Sequence, residues 1–249
     1  MNIGYFIVLF AFVVIFQIPC FILSLIAYPT RTLFKNRYFT HIAVHYLMRG
    51  AYWANKVFFR MKIINDRTID QNKKYVRMGN HSSFVDAIII SEINHPSMTI
   101  AINYSKYFQL LGWNLALIGI PFVGDKGGKG ITQMYTDFLN DDDNKELVLS
   151  LFPTGSRIFI EDDLKLEELK SGGFVIAKNL GLEIVPMYHN IIDSFHDVKK
   201  EYNPTAELFC VHGAPIKTEG REIDQIKQEY HESMLKLREQ VRSLKNRSI

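Results

Sequence analysis

The chain has 249 residues, of which 47% are hydrophobic, 13% aromatic and 22% charged. This composition excludes disordered, collagen-like and low-complexity chains, and it is typical of a globular protein with a substantial core. Lysine and arginine total 29 against 26 aspartates and glutamates, and the net charge of +3 is too small to indicate nucleic-acid binding. The two cysteines, Cys20 and Cys210, predict neither a disulfide framework nor a zinc site.

The first predicted element is an apolar helix at the N-terminus. Residues 1–30 contain no charged side chain, and residues 3–28 are mostly aliphatic or aromatic. A helix over residues 3–28 extends about 39 Å, enough to cross a hydrocarbon layer of about 30 Å. A cleaved signal peptide and a buried core helix are the alternatives, but a signal peptide has a positive N-terminal region and a shorter apolar segment. Arg31, Lys35 and Arg37 follow, and they predict that the rest of the chain lies on the cytoplasmic side.

A second helix is predicted over residues 41–62, where cationic and aromatic side chains are mixed. Helices that lie in a membrane interface have this mixture. An amphipathic helix packed on a domain is the alternative. We therefore predict membrane-anchoring helices, a single helix or a helical pair, over residues 1–62 and an α/β domain over residues 63–249.

From residue 63 onward, short apolar segments typical of strands alternate with segments of helical periodicity. Strands are predicted at residues 74–78, 98–103, 118–123, 146–152, 183–188 and 207–212. Helices are predicted at residues 86–93, 131–139, 173–180 and 223–244, with a helix or turn at 108–117. This alternation predicts an α/β fold with a mostly parallel mixed sheet flanked by helices.

The segment most indicative of catalysis is residues 80–86, which lies between a predicted strand and a predicted helix. His81 and Asp86 are five residues apart, so the carboxylate can fix the imidazole tautomer and leave the other ring nitrogen as a base. A histidine and an acid also have this spacing by chance, as His196 and Glu201 do. A structural histidine is therefore the alternative for His81.

Two further segments have the composition of anion-binding loops. In one, Thr154, Gly155, Ser156 and Arg157 follow a predicted strand and offer hydroxyls, backbone N–H groups and a guanidinium that suit a phosphate. In the other, Lys126 lies in a basic, glycine-rich loop that lacks the nucleotide-binding pattern G-x-x-x-x-G-K-[ST]. An ordinary turn is the alternative for each. The acidic run at residues 141–143 is interpreted as a solvated turn, and no metal site is predicted.

Together these segments resemble the glycerolipid acyltransferase superfamily, in particular its lysophosphatidic acid acyltransferases. Residues 80–86 (Asn-His-Ser-Ser-Phe-Val-Asp) are similar to the family's N-H-x4-D block, and residues 152–157 to its F-P-E-G-T-R block. Residues 119–126, 185–186 and 213–216 are similar to further blocks, in the family's order. Thr154 stands where the family has glutamate, and Lys126 is one residue beyond the expected arginine. The missing glutamate bears on the identity of the acceptor more than on acyl transfer.

The resemblance implies a membrane-bound enzyme that moves an acyl group from coenzyme A or acyl carrier protein to lysophosphatidic acid, giving phosphatidic acid. It implies that His81 takes the proton of the acceptor hydroxyl and that Asp86 orients His81. It assigns substrate binding to Asn80, Lys126, Thr154, Gly155, Ser156 and Arg157. No cofactor is implied, because the acyl thioester is a co-substrate. The alternatives are another lysophospholipid or glycerol 3-phosphate as acceptor, a lipid or thioester hydrolase, and a non-catalytic scaffold.

Overall fold

A computed structural model describes residues 2–34, 42–43, 55–64, 73–83, 85–86, 97–99, 101–102, 113–114, 116–117, 122–123, 129–141, 148–155, 157 and 164–247. Its α-helices are α1 (Ile3–Phe12), α2 (Ile18–Phe34), α3 (Lys129–Asn140), α4 (Gly172–Asn179) and α5 (Ile223–Arg247). One stretch of π-helix, Val13–Gln17, joins α1 to α2, and a second covers Asn55–Phe59. Short 3-10 helices cover Leu166–Glu168 and Ile191–Asp193.

The described strands are β1 (Lys62–Ile64), β2 (Tyr75–Gly79), β3 (Ser97–Thr99), β4 (Ala101–Ile102), β5 (Phe122–Val123), β6 (Val148–Leu151), β7 (Glu183–His189), β8 (Phe195–His196), β9 (Glu201–Tyr202) and β10 (Phe209–His212). Six of them form one sheet in the order β1-β10-β7-β2-β6-β3. All neighbours in it are parallel except β10 and β7, which are antiparallel. The predicted fold, a mostly parallel mixed sheet flanked by helices, is therefore confirmed.

The core lies on both faces of this sheet, which is why most positions of its central strands are apolar, with Arg77 of β2 and Ser150 of β6 as buried exceptions. On one face, Val76 and Met78 of β2 pack in a cluster with Phe174 of α4 and Tyr230 of α5. On the other face, Met187 of β7 belongs to a second cluster that includes residues of α1 and β8. Helix α5 joins the first cluster through residues spaced three or four apart, the spacing of one helical face: Ile226, Tyr230, Met234, Leu237 and Val241.

Most predicted elements that lie in the described residues are present, with small shifts at their ends. They are the strands at 74–78, 146–152, 183–188 and 207–212 and the helices at 131–139, 173–180 and 223–244. The segment predicted as one strand at 98–103 contains β3 and β4, which belong to different sheets. The helix predicted over 41–62 is wrong at its end, because Lys62 begins β1 and its backbone N–H donates to the Leu208 carbonyl at 2.8 Å. The predicted helices at 86–93 and 108–117 lie mostly outside the described residues.

The apolar N-terminal segment is helical from Ile3 to Phe34, and it is long and apolar enough to cross a membrane. At 1.5 Å per residue its 32 residues extend about 48 Å. Only 20% of its most apolar stretch of 18 residues is buried in the protein, so most of its aliphatic and aromatic surface is exposed. The division of the chain into an anchor over residues 1–62 and a domain over 63–249 stays a prediction.

Candidate active site

His81 and Asp86 lie in the segment that follows β2. The Nδ1 atom of His81 lies 2.7 Å from Oδ2 of Asp86, within hydrogen-bonding distance. Asp86 is fully buried, whereas the side chain of His81 retains 22% exposure and lines an open cleft. With Nδ1–H donating to the carboxylate, Nε2 of the neutral ring carries a lone pair and can accept a proton. The structure therefore brings His81 and Asp86 together, and their catalytic roles stay predictions.

Asp86 is held by the backbone of the turn that it closes. The N–H groups of Ser82 and Ser83 donate to Oδ2 of Asp86 at 2.7 and 3.0 Å. These bonds account for the spacing of the motif, because an acid five residues after His81 can reach back over the turn to both N–H groups and the ring. The carboxylate is fixed, and it therefore fixes the orientation of the imidazole.

Phe152 packs against one face of the His81 ring. The ring of His81 stacks on that of Phe152, with centroids 4.3 Å apart and planes at 14°. Phe152 follows β6, and β6 pairs in parallel with β2. Because the carboxyl ends of parallel strands meet at the same edge of a sheet, the two segments that the sequence singled out converge there.

His189 is a site residue that the sequence analysis missed. It ends β7, is fully buried, and places Nε2 3.9 Å from Oδ1 of Asp86. Burial lowers the pKa of His189, and the neighbouring His81 lowers it further, against the opposing effect of Asp86. His189 is therefore neutral beside Asp86. Its position at the carboxyl end of a predicted strand could have indicated His189 as a site residue.

Asn80, predicted to bind substrate, bridges two strands. Its Nδ2 donates to the carbonyl of His189 at 2.9 Å, and its Oδ1 accepts from the N–H of His189 at 3.0 Å. These bonds join the ends of β2 and β7, so Asn80 holds both histidines at one edge of the sheet. Its role in substrate binding stays a prediction.

Gly155 lies in a tight turn that follows β6. Its φ of 65° is in the left-handed region, and its N–H donates to the carbonyl of Phe152 at 2.9 Å. A Cβ at this position would lie 2.6 Å from Nζ of Lys170. Lys170 therefore covers the turn, and it adds a cation to this segment that no sequence motif indicated.

Arg157 and the histidine segment are joined through Asp197. Nη1 of Arg157 lies 2.8 Å from Oδ2 of Asp197, and Ser83 Oγ donates to Oδ1 of the same carboxylate at 2.8 Å. Asp197 lies between β8 and β9 and was not singled out from the sequence. Thr154 is buried and lines the same cleft as His81. Lys126 and Ser156 lie outside the described residues.

The cleft beside His81 has a volume of ≈ 120 Å³. Its walls come from the ends of β2 and β7, the turn at Thr154, and one face of α5. The sequence predicted α5 only as a helix, and the contribution of its last turns to the cleft was missed. Within the described residues there is no group of three or more side chains arranged to hold a metal ion.

These features define a class of site: a histidine that is oriented by a buried aspartate, is able to act as a base, and opens on a cleft able to receive a polar substrate. The sequence profile of the family described as Acyltransferase matches residues 60–190, more than half of the chain. The chain belongs to this acyltransferase family. The resemblance identified from residues 80–86 and 152–157 is thereby confirmed.

Individual relatives agree with the family. An uncharacterized acyltransferase of Schizosaccharomyces pombe is 27% identical over 198 residues, covering 76% of this chain and 68% of that protein. The 1-acyl-sn-glycerol-3-phosphate acyltransferase of Saccharomyces cerevisiae is 28% identical over 151 residues, covering 59% of this chain and 49% of that protein. A protein of the same description from Chlamydomonas reinhardtii is 24% identical, covering 73% of this chain. The chain spans about half the length of the last two relatives.

One solved structure has the same fold. The 1-acyl-sn-glycerophosphate acyltransferase PlsC from Thermotoga maritima superposes with a TM-score of 0.65 and covers 91% of this chain and 96% of that one. The two sequences are 13% identical, so the likeness concerns the fold. It supports the α/β architecture described above.

Proposed function

We propose that the protein transfers a fatty acyl group from an acyl thioester to the free hydroxyl of lysophosphatidic acid, forming phosphatidic acid. The observation that carries this proposal is the contact of 2.7 Å between His81 and Asp86 at the edge of an open cleft. The names of the yeast and algal relatives support this choice of acceptor. Membership of the acyltransferase family supports the type of reaction.

The residues allow transfer in one sequence of steps. Nε2 of His81 takes the proton of the acceptor hydroxyl as that oxygen attacks the thioester carbonyl. The new C–O bond forms, the C–S bond breaks, and the imidazolium returns its proton to the departing thiolate. Asp86 stabilises the imidazolium and keeps the ring oriented. The acyl group moves directly to the acceptor, so the mechanism needs no nucleophilic serine or cysteine. Coenzyme A and acyl carrier protein are the two candidate carriers of the thioester.

The proposal includes a membrane location, because the acceptor is a lipid. The exposed apolar surface of Ile3–Phe34 supports an anchor in the bilayer, either spanning it or lying in one leaflet. The cationic residue Arg31 in the last turn of α2 supports a cytoplasmic position for the catalytic domain. Such an anchor keeps His81 near the surface where lysophosphatidic acid resides.

The test is thiol release by the detergent-purified full chain, supplied with acyl-coenzyme A or acyl carrier protein, with and without lysophosphatidic acid. We expect release that requires the acceptor and falls by about a hundredfold or more in His81→Ala, because the base is lost. His196→Ala is the matched control, since His196 has the same spacing to an acid but lies outside the cleft lining. Activity retained in His81→Ala would exclude His81 as the base, and equal release without acceptor would establish a hydrolase.

A second measurement concerns the acceptor, because Thr154 replaces the glutamate of the family's F-P-E-G-T-R block. Lysophosphatidic acid, lysophosphatidylglycerol and glycerol 3-phosphate are compared by kcat/KM with one donor. We expect lysophosphatidic acid to be preferred. An equal or higher value for lysophosphatidylglycerol or glycerol 3-phosphate would overturn the acceptor and leave acyl transfer intact.

A further inference from the structure

The last turns of α5 carry a row of cations that no motif indicated. Arg238, Arg242 and Lys245 are spaced by four and three residues, so they lie on one face of the helix. All three line the cleft that also contains His81. The row therefore faces the place where the proposed base acts.

Among the described residues, the lining of the cleft contains these three cations and one acid, Asp193. Nζ of Lys245 lies 2.6 Å from Oδ2 of Asp193, which also accepts a hydrogen bond from Asn190 at 2.7 Å. Lys245 is thereby held in position. The ion pair of Arg242 with Glu239 is long, at 3.8 Å, and both side chains are exposed, so solvent screens it.

Arg157 contributes less positive charge to this region than the sequence suggested. Asp197 contacts its guanidinium at 2.8 Å and is itself only 8% exposed, so the pair is largely neutral. Within the described residues, the lysine and arginine side chains that line the cleft beside His81 all belong to α5. Guanidinium groups form charge-assisted hydrogen bonds with phosphate in two-point geometry, which an isolated ammonium cannot match.

The same wall is apolar between its cations. Ile192, Met234, Leu235 and Val241 line the cleft beside the basic row. A wall that combines aliphatic side chains with guanidinium groups suits a ligand with a phosphate and a hydrocarbon portion. A free inorganic anion would contact the cations but not the aliphatic side chains.

We propose that Arg238, Arg242 and Lys245 form a phosphate subsite that positions a phosphorylated substrate against His81. The proposal deepens the proposed function and rests on it for the identity of the substrate. Two sources share this chemistry: the phosphate of the lysophospholipid acceptor and the phosphates of coenzyme A in the donor. The subsite binds and orients, and it takes no part in proton transfer.

The test is equilibrium binding to the full chain in detergent, which does not depend on turnover. The ligands are lysophosphatidic acid, monoacylglycerol of the same chain length, and coenzyme A. The variants are Arg242→Gln, which changes an exposed side chain, and the double variant Arg238→Gln/Arg242→Gln. Lys236→Gln is the matched control, because Lys236 is an exposed cation of the same helix outside the cleft lining.

We expect the double variant to weaken lysophosphatidic acid or coenzyme A binding on the order of tenfold or more, with monoacylglycerol and Lys236→Gln unchanged. The ligand whose binding weakens in the double variant identifies the source of the phosphate. We also expect Arg242→Lys to recover binding in part and higher salt to reduce the difference. Equal binding of all three ligands by native and double-variant chains would overturn the subsite, even if the chain transfers acyl groups. A subsite confirmed by binding in a chain that releases no thiol would leave the subsite standing and overturn the proposed function.

Discussion

The position of His81 is set by neighbours from its own turn and from distant parts of the chain. Asp86 orients it from within the same turn, Phe152 stacks on its ring from the end of β6, and His189 lies buried behind Asp86. The contacts of Asp86 and Phe152 limit the movement of the imidazole. The proposed general base needs a fixed ring for a repeatable approach to the hydroxyl. The ring is therefore positioned before any substrate binds.

Asp197 gives a test of the role of Arg157. Asp197→Asn keeps an oxygen for the hydroxyl of Ser83 but removes the negative charge that neutralises the guanidinium. If Arg157 binds the acceptor phosphate, we expect Asp197→Asn to lower the acceptor KM and Arg157→Gln to raise it by about tenfold or more. The measurement is the acceptor KM at fixed donor concentration. A KM unchanged in both variants, with lower melting temperatures, would show that the pair has only a structural role.

At the scale of elements, the strands that sequence analysis predicted best are those with three or more consecutive buried positions. β2, β6, β7 and β10 are such strands, because a central parallel strand is covered on both faces. β1, β8 and β9 have only two or three residues, too few to establish a period. These short strands form because the folded chain places their partner strands beside them.

The same distinction applies to the site. The pairing of His81 with Asp86 was predictable because one turn contains both residues and the bonds that hold them. The bonds between Asn80 and His189 join residues 109 positions apart, and the cations of α5 reach the cleft only after the helix packs on the sheet. Such contacts depend on topology, which local patterns do not specify.

Two glycines in turns test whether residues 152–157 are functional or only tightly folded. Gly155 and Gly181 both have left-handed φ values, 65° and 63°, so alanine at either position costs about 1–2 kcal/mol of stability. A Cβ at Gly181 has nothing within 4 Å, whereas at Gly155 it would displace the side chain of Lys170. We expect Gly181→Ala to lower stability only and Gly155→Ala to lower acyl transfer as well. Melting temperature measures the stability of both variants, and kcat/KM measures their acyl transfer. Equal losses of activity in the two variants would contradict a functional role for the turn at Gly155.

His212 of β10 makes the stability of the fold depend on pH. Burial and the nearby Arg77 lower the pKa of His212 from 6.5 to about 3, and the backbone of Ile64 opposes this shift only in part. Between these two values the unfolded chain binds a proton that the folded chain does not, so stability falls as the pH falls below 6.5. One such group contributes a slope of about 1.4 kcal/mol per pH unit.

We expect His212→Gln to reduce that slope, whatever its effect on stability at neutral pH. Urea unfolding of both chains between about pH 7 and pH 5, in the same detergent, measures the free energy of unfolding at each pH. His189, with its lowered pKa, contributes in the same direction and is unchanged in the variant. The same slope in both chains would show that His212 is protonated in the folded protein.

On the scale of the whole molecule, the N-terminal helix is connected to the strand pair that carries Asp197. The ring of Tyr5 stacks on Phe195 of β8, with centroids 4.4 Å apart and planes at 20°. Nδ2 of Asn2 donates to the carbonyl of Tyr202 in β9 at 2.9 Å. The start of α1 therefore packs on the α/β unit while most of the apolar surface of Ile3–Phe34 remains exposed.

Two aromatic residues of α1 differ in exposure, so their variants test packing on the protein and contact with lipid separately. Tyr5 is buried, with 7% exposure, whereas Phe10 is 69% exposed. We expect Tyr5→Ala to lower the free energy of unfolding by about 2–4 kcal/mol, because a buried ring leaves a cavity. We expect Phe10→Ala to leave unfolding unchanged and to weaken the binding of the chain to phospholipid vesicles, since its ring faces the bilayer in the proposed arrangement.

Denaturant unfolding in detergent and partition between vesicles and buffer measure the two effects separately. The expected pattern is a loss of stability in Tyr5→Ala and a loss of vesicle binding in Phe10→Ala. Equal losses of stability would show that α1 is enclosed by protein on all sides, which contradicts an anchor in lipid. Separate losses would show that one helix both anchors the chain and supports, through β8 and β9, the carboxylate that joins Ser83 to Arg157.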